Sequence, residues 1–223
     1  MRVLGVIPAR GGSKRLPRKN IKKLLGIPLI GYTIAAASAA KQLTDVVFTT
    51  DDAEIKTVAE DLGAFCPFLR PSNLATDNVR NSASMLHALE YMEKLTSKRY
   101  DAVVLLQPTS PLRTSQHIDE AVALFKSGDS ESLAAVRGPY KKRDINLKRI
   151  QDGKLQSLID NNEPYYIYNA SIYIVNRDWL VLKKRFTSED EIPYVMNDVS
   201  SIDVDEEIDF IFAEAVLKSR ADK

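Results

Sequence analysis

"VLGVIPARGGSKRLPRKN", residues 3–20, joins a short apolar run to a loop that holds two adjacent glycines and the cations Arg10, Lys14, Arg15, Arg18 and Lys19. The run reads as a buried strand and the loop as its carboxyl-terminal turn. Glycine lets backbone N–H groups approach an anion closely, and Lys and Arg neutralise it, so the loop suits phosphate; a solvated basic turn is the alternative. It matches neither GxxxxGK[ST] nor GxGxxG, which removes the P-loop kinase and dinucleotide dehydrogenase readings.

Outward from this stretch, "DVVFTT" at 45–50 and "AVVLLQ" at 102–107 read as two more buried strands. Ile55, Val58, Ala59 and Leu62 repeat at helical spacing, with Asp51 or Asp52 as cap and Gly63 as stop. Ile118, Ala121, Val122 and Phe125 repeat it again, with Thr114 and Ser115 read as caps. The uncharged "LLGIPLIGYTIAAASAA" at 24–40 is interrupted by Gly26, Pro28 and Gly31, so it reads as a buried helix beginning near Pro28 and not as a membrane span.

Strands alternating with helices predict parallel βαβ units and an α/β fold, a three-layer α/β/α sandwich. Ligands of such sheets collect at the carboxyl ends of the strands. Three polar segments fall there: the loop from Ala9, "TTDD" at 49–52 and "QPTSPLR" at 107–113.

The 223 residues fit a single domain over 1–223. Residues 138–170 are polar, contain prolines and show no helical stripe; they predict a protruding arm for a partner subunit, or else a surface insertion. "ASIYIV" at 170–175 returns as a buried strand, and Ile208, Ile211, Phe212, Ala215 and Val216 mark a closing amphipathic helix. A net charge of +1 speaks against a general nucleic-acid binder. Cys66 is the single cysteine, so no internal disulfide or zinc site is expected. No leader precedes the first strand, which makes the cytoplasm the expected compartment and a membrane an unexpected partner.

The opposite charge lies far along the chain, where no Lys or Arg interrupts the acidic stretch from Glu189 to Glu214. If residues 201–205 are extended, Ser201, Asp203 and Asp205 share one face and Ile202 and Val204 the buried one. Two carboxylates on one face suit a Mg²⁺ ion that bridges to substrate phosphates; alternatively Asp205 caps the last helix. In "QPTSPLR", Pro108 and Pro111 bar a helix, so Gln107, Thr109, Ser110 and Arg113 are expected to project, a row suited to a polyhydroxylated or carboxylated ligand. His87 and His117 have no metal-ligand spacing and are read as structural.

Four blocks, "IPARGGSKRLPRKN", "FLRPSNLATD", "LLQPTSPLR" and "SIDVDEEID", in this order over nearly the whole chain, resemble the CMP-N-acetylneuraminate synthetase (acylneuraminate cytidylyltransferase) family. The resemblance implies a nucleotidyltransferase fold with a dimerisation arm at 138–170. It also implies a reaction in which the anomeric hydroxyl of a nine-carbon 2-keto sugar acid attacks the α-phosphate of CTP, giving a CMP-sugar and pyrophosphate. It further implies Mg²⁺ and a homodimer.

By the same resemblance, Arg10, Gly11, Gly12, Ser13, Lys14 and Lys19 would hold the CTP phosphates and Asn20 would lie near the nucleoside. Arg70, Asp77 and Asn81 would read cytosine and ribose. Gln107, Thr109, Ser110 and Asn169 would hold the sugar acid, with Lys148 reaching in from the neighbouring subunit's arm. Asp203 and Asp205 would bind Mg²⁺, and Arg10, Lys19 and Asp205 would be catalytic, with Asp205 or a metal-bound hydroxide as proton acceptor. The chain departs from the family in two places. The usual arginine before "YNASIYIV" is missing, with no Lys or Arg from 155 to 176, and the usual glycine after Asn169 is Ala170. The missing cation is a mark against N-acetylneuraminate, which the resemblance still puts ahead of legionaminate or another nonulosonic acid as the acceptor, and it is the support for a different class, a non-catalytic CTP-binding protein.

Overall fold

The computed structural model describes residues 1–75, 81–141, 148–157 and 163–221. In chain order its elements are β1 (Val3–Pro8), β2 (Lys23–Leu24), β3 (Ile27–Pro28), α1 (Leu29–Ala39), β4 (Asp45–Thr49), α2 (Ala53–Asp61), α3 (Asn81–Thr96) and β5 (Ala102–Leu106). They continue as α4 (Ser115–Ser127), β6 (Ser132–Tyr140), β7 (Lys148–Gln151), β8 (Lys154–Ser157), β9 (Tyr165–Asn176), α5 (Arg177–Lys183), β10 (Ile192–Met196) and α6 (Glu207–Ala221).

Period-two alternation decides the layers. Val3 and Ile7 of β1, Phe48 of β4 and Ala102, Val104 and Leu106 of β5 pack with α1, α2 and α4 on one face of the sheet. Leu4, Val6, Val47, Val103 and Leu105 point the other way, against Met85, Leu89 and Met92 of α3 and Leu180 of α5. The three-layer α/β/α sandwich follows. The N-terminal helices start as expected: the Asp52 carboxylate accepts from the N–H groups of Glu54 and Ile55, and α2 runs out at Gly63, φ +83°. Thr114 caps α4 and His117 closes the capping box, so that histidine is structural, while Ser115 is the first helical residue and not a cap.

The six-stranded sheet has the order β10-β6-β9-β5-β1-β4 and is mixed. β1, β4 and β5 pair in parallel, as the βαβ reading expects, and β10 pairs in parallel with β6, while β9 runs antiparallel between β5 and β6, a direction the sequence reading did not address. The reason lies in the connection: β6 reaches β9 through an excursion holding the β7–β8 hairpin, with no crossover helix among the described residues, so the chain returns in the opposite sense. Tyr140 at the end of β6 pairs with Tyr165 at the start of β9, so the central sheet extends into the 138–170 segment from both sides. The hairpin stands off it, with Ile150 and Leu155 over 70% exposed.

The last helix also differs from expectation. Ile208, Ile211 and Phe212 face solvent, and α6 instead buries Phe210 and Ala213 against Leu16, Leu24, Leu29 and Val204. It covers the β2–β3 ladder and the loop after β1, away from the sheet face, and that platform selects its buried side. Among the described residues no helix is long and apolar enough to cross a membrane.

Candidate active site

This small third core assembles the site, because Leu16 in the cationic loop and Val204 in the acidic segment bury against the same helix. Two hydrogen bonds fix the register. The Val204 N–H donates to the Thr109 carbonyl at 2.7 Å, and Lys19 Nζ donates to the Val204 carbonyl at 2.8 Å. The loop after β1, the loop after β5 and the acidic stretch thereby meet at the carboxyl end of the sheet.

They enclose a cleft of about 700 Å³. Arg10, Ser13, Lys14, Lys19 and Asn20 line it from the first loop, Arg70 and Asn81 from a second wall, Gln107 and Thr109 from the third, and Asp203 and Asp205 opposite the cations. A second cavity of about 300 Å³ adjoins, lined by Arg137, Asn169, Ser201 and Asp209 among others, and Asp203 borders both. Asn169 therefore lies in the neighbouring cavity; it is buried, donates to Ser201 Oγ at 2.9 Å and accepts from the Ser171 N–H. Asp77 lies outside the described residues, and so does the side chain of Lys148, whose backbone begins β7.

Four expected residues lie elsewhere. A Cβ on Gly11 would come within 2.5 Å of Asp52 Oδ2, so this glycine permits close packing on the α2 terminus; Gly12 has open space around it, and neither lines the cleft. Ser110 is 1% exposed and does not reach the cleft. Arg113 turns into the core, donating to the carbonyls of Gln107 (3.1 Å) and Ser171 (2.7 Å) and to Thr33 Oγ1 (2.7 Å). Burial brings its pKa down to about 9. The two prolines fold the loop inward, so Ser110 and Arg113 lie beneath it and Gln107, Pro108 and Thr109 line the cleft.

Electrostatics distinguish the two aspartates. Asp205 accepts from Lys19 Nζ at 3.0 Å and from Arg15 at 2.7 Å. Burial works to raise its pKa, but these two cations outweigh it and hold the carboxyl below the ordinary range. Among the described residues no N–H of α6 donates to its carboxylate; Asp209, in the first turn of α6, reaches back to accept from the N–H groups of Asp205 and Glu206 at 3.0 and 2.8 Å. Asp203 is raised, above all by burial, and its Oδ1 has no hydrogen-bond partner among the described residues.

Three contributors had no site role assigned from sequence, although Arg15 stood among the loop cations and Asp51 in the "TTDD" segment. Asp51, at the end of β4, holds the buried Arg70 guanidinium at 3.1 Å and accepts from the Gly11 N–H at 3.4 Å. Arg15 pairs with Asp205 across the chain. Arg137 enters the second cavity from β6, its one signal being a lone cation ending the apolar run "LAAV".

A mixed α/β/α sheet with a cationic loop after its first strand, facing a carboxylate pair across an open cleft, is the architecture of a nucleotidyltransferase. A CMP-2-keto-3-deoxy-manno-octonic acid synthetase complexed with CTP shares the fold, with a TM-score of 0.72 at 15% identity over 99% of this chain and 100% of that one. The chain belongs to the cytidylyltransferase family, which matches residues 4–217. It is 37% identical to a CMP-N,N'-diacetyllegionaminic acid synthase of Legionella pneumophila, over 98% of this chain and 97% of that protein. An N-acylneuraminate cytidylyltransferase of Escherichia coli is 33% identical over 98% of this chain and 53% of that longer protein.

Proposed function

We propose that the chain transfers CMP from CTP to the anomeric hydroxyl of a nine-carbon 2-keto sugar acid, releasing pyrophosphate. The observation that carries this reading is the single cleft in which Arg10, Lys14 and Lys19 face Asp203 and Asp205. In the reaction the sugar oxygen bonds to the α-phosphorus as the α–β bridging bond breaks, and pyrophosphate takes the leaving charge. Arg10, Lys14, Lys19 and the Ser13 hydroxyl would neutralise and orient the triphosphate. Asn20, Arg70 and Asn81 line the side on which a nucleoside would lie, and Gln107 and Thr109 the side of the acceptor. Family membership sets aside the non-catalytic reading.

Mg²⁺ fits the residues present. Asp203 offers a buried oxygen without a partner, Asp205 stands two residues away, and both are hard oxygen donors. Two protein carboxylates would leave the ion's other positions to water and phosphate oxygens. When bound, the ion would supply charge neutralisation and alignment of the triphosphate. Lys19 and Arg15 make Asp205 a poor proton acceptor before nucleotide arrives; a triphosphate drawing Lys19 to itself would raise its basicity toward the attacking hydroxyl.

The relatives favour a legionaminic-type acid as first candidate and N-acetylneuraminate as second, on the higher identity and fuller coverage of the former. The projecting β7–β8 hairpin, with its exposed Ile150 and Leu155, supports a homodimer, and the use of CTP fits the cytoplasm. The test is pyrophosphate release with CTP and Mg²⁺ for each nonulosonic acid and for the eight-carbon 2-keto-3-deoxy-octonate, with ATP, GTP and UTP as controls. Release with CTP and one nine-carbon acid is the expected result, and silence with every acid overturns the reading.

A further inference from the structure

The acceptor of this reaction is an acid, and its carboxyl group is bonded directly to the anomeric carbon that bears the attacking hydroxyl. A hydroxyl at the α-phosphate therefore brings a second negative charge to the same spot. The cations of the main cleft are committed to the triphosphate or to Asp205, Asp203 to the proposed metal ion, and Asp209 would repel the incoming carboxylate from the far side. The strand on that side offers nothing, because no Lys or Arg occurs from 155 to 176.

Arg137 answers this deficit from the neighbouring strand. Its Cα is the ladder partner of Ile167, so the two residues share one face of the β6–β9 pair. The side chain lines the 300 Å³ cavity with Asn169, Ser201 and Asp203, and it is the one cation among that cavity's lining residues. No hydrogen bond or ion pair to its guanidinium occurs among the described residues, while Asn169 and Ser201 are engaged with each other. Asp203 separates this cavity from the phosphate cations, so the two sets of positive charge flank the point of attack.

We infer that Arg137 binds the carboxylate of the sugar acid and is a specificity-determining residue, an inference that rests on the proposed transfer to a 2-keto acid. A planar guanidinium can grip a carboxylate through two parallel N–H bonds, which also orients the anomeric carbon.

The experiment is steady-state kinetics of Arg137→Gln and Arg137→Lys with the acid that the wild type uses. Arg137→Gln should raise KM for the acid about 10- to 100-fold, the range for losing a hydrogen-bonded charge partner, with KM for CTP and the thermal midpoint unchanged. Arg137→Lys should recover part of the loss. The amide of the acid, which lacks the charge, should lose a similar factor with the wild type and no further factor with Arg137→Gln. Wild-type turnover that Arg137→Gln leaves unaltered overturns the assignment alone, as does a KM effect carried instead by Lys184 or Arg185, which line a third cavity beside Gln107. A wild type without acid-dependent pyrophosphate release overturns the proposed reaction and this inference together.

Discussion

Lys19 Nζ donates to Asp205 Oδ1 at 3.0 Å and to the Val204 carbonyl at 2.8 Å, joining the cationic loop to the acidic segment across 186 positions of sequence. The lysine is well covered and Asp205 is 41% exposed, so the pair is part buried and part screened. Before nucleotide arrives, loop and acid neutralise each other.

Lys19→Met therefore should lower turnover about 100- to 1000-fold, the effect of removing one preorganised cation from a charge-rich transition state. The cost to stability should stay near 1 kcal/mol, because half of the ion pair faces water. Pyrophosphate release and thermal unfolding on one preparation separate the two effects, and an unchanged rate would make Lys19 merely a strut between the two loops.

Asp203→Asn tests the raised carboxyl. A carboxyl whose native pKa exceeds its unfolded value holds a proton that the unfolded chain has released, so stability declines as pH rises from the ordinary carboxylate range through the native pKa. Above that window the buried charge destabilises in full. In metal-free buffer the Asn variant should unfold at a higher temperature than wild type at pH 7, with the advantage shrinking toward pH 4. Turnover should fall at least about 100-fold, and added Mg²⁺ should raise the midpoint of the wild type alone. A variant that stays active and gains stability from Mg²⁺ removes Asp203 from the metal site.

Arg113→Met removes a brace that touches no ligand space. Its three hydrogen bonds hold the loop carbonyl of Gln107, the β9 carbonyl of Ser171 and the Thr33 hydroxyl, which would remain buried. The expected loss is about 3 kcal/mol, partly offset by removal of a desolvated charge, which denaturant unfolding would read directly. Unfolding at the wild-type midpoint would mean that water replaces the guanidinium.

Ala170 has φ +59°, in the left-handed region, within the register shift that separates the Ala134–Tyr173 and Val136–Tyr168 pairs of β6 and β9. That conformation costs an alanine about 1–2 kcal/mol, while glycine gives back about 0.4–1 kcal/mol through unfolded-chain entropy. Ala170→Gly should stabilise by about 0.5–1 kcal/mol in denaturant unfolding; a loss would show that the methyl group packs usefully.

The elements legible in the sequence were those whose signal is local. "VLGVI", "DVVFTT" and "AVVLLQ" are apolar runs long enough to be buried strands, and Asp52 sits where a helix needs an N-cap. Lys19 and Asp205 stood out as opposite charges because each lies in a segment of one sign. What escaped depends on neighbours. The direction of β9 is set by how the chain returns to the sheet, and periodicity carries no direction. β10, with Pro193 and Tyr194 inside it, lacks a clear apolar run. Arg113 turned inward because acceptors on β9 and α1, the Ser171 carbonyl and the Thr33 hydroxyl, lie beneath its loop, and the outward stripe of α6 reflects a platform built by Leu24 and Leu29. Arg137 gained meaning only when the ladder placed it opposite Ile167.

β9 lies between two strands that precede it in the chain, which bears on how the protein is made. A nascent chain that has emerged through β6 has β1, β4 and β5 to pair but leaves facing edges of β5 and β6 open until residues 165–176 arrive. Such edges are where a ribosome-bound intermediate pairs with another copy or is covered by a chaperone. Throughout that interval the cationic loop lacks Asp203 and Asp205, so catalytic competence is among the last properties that translation confers.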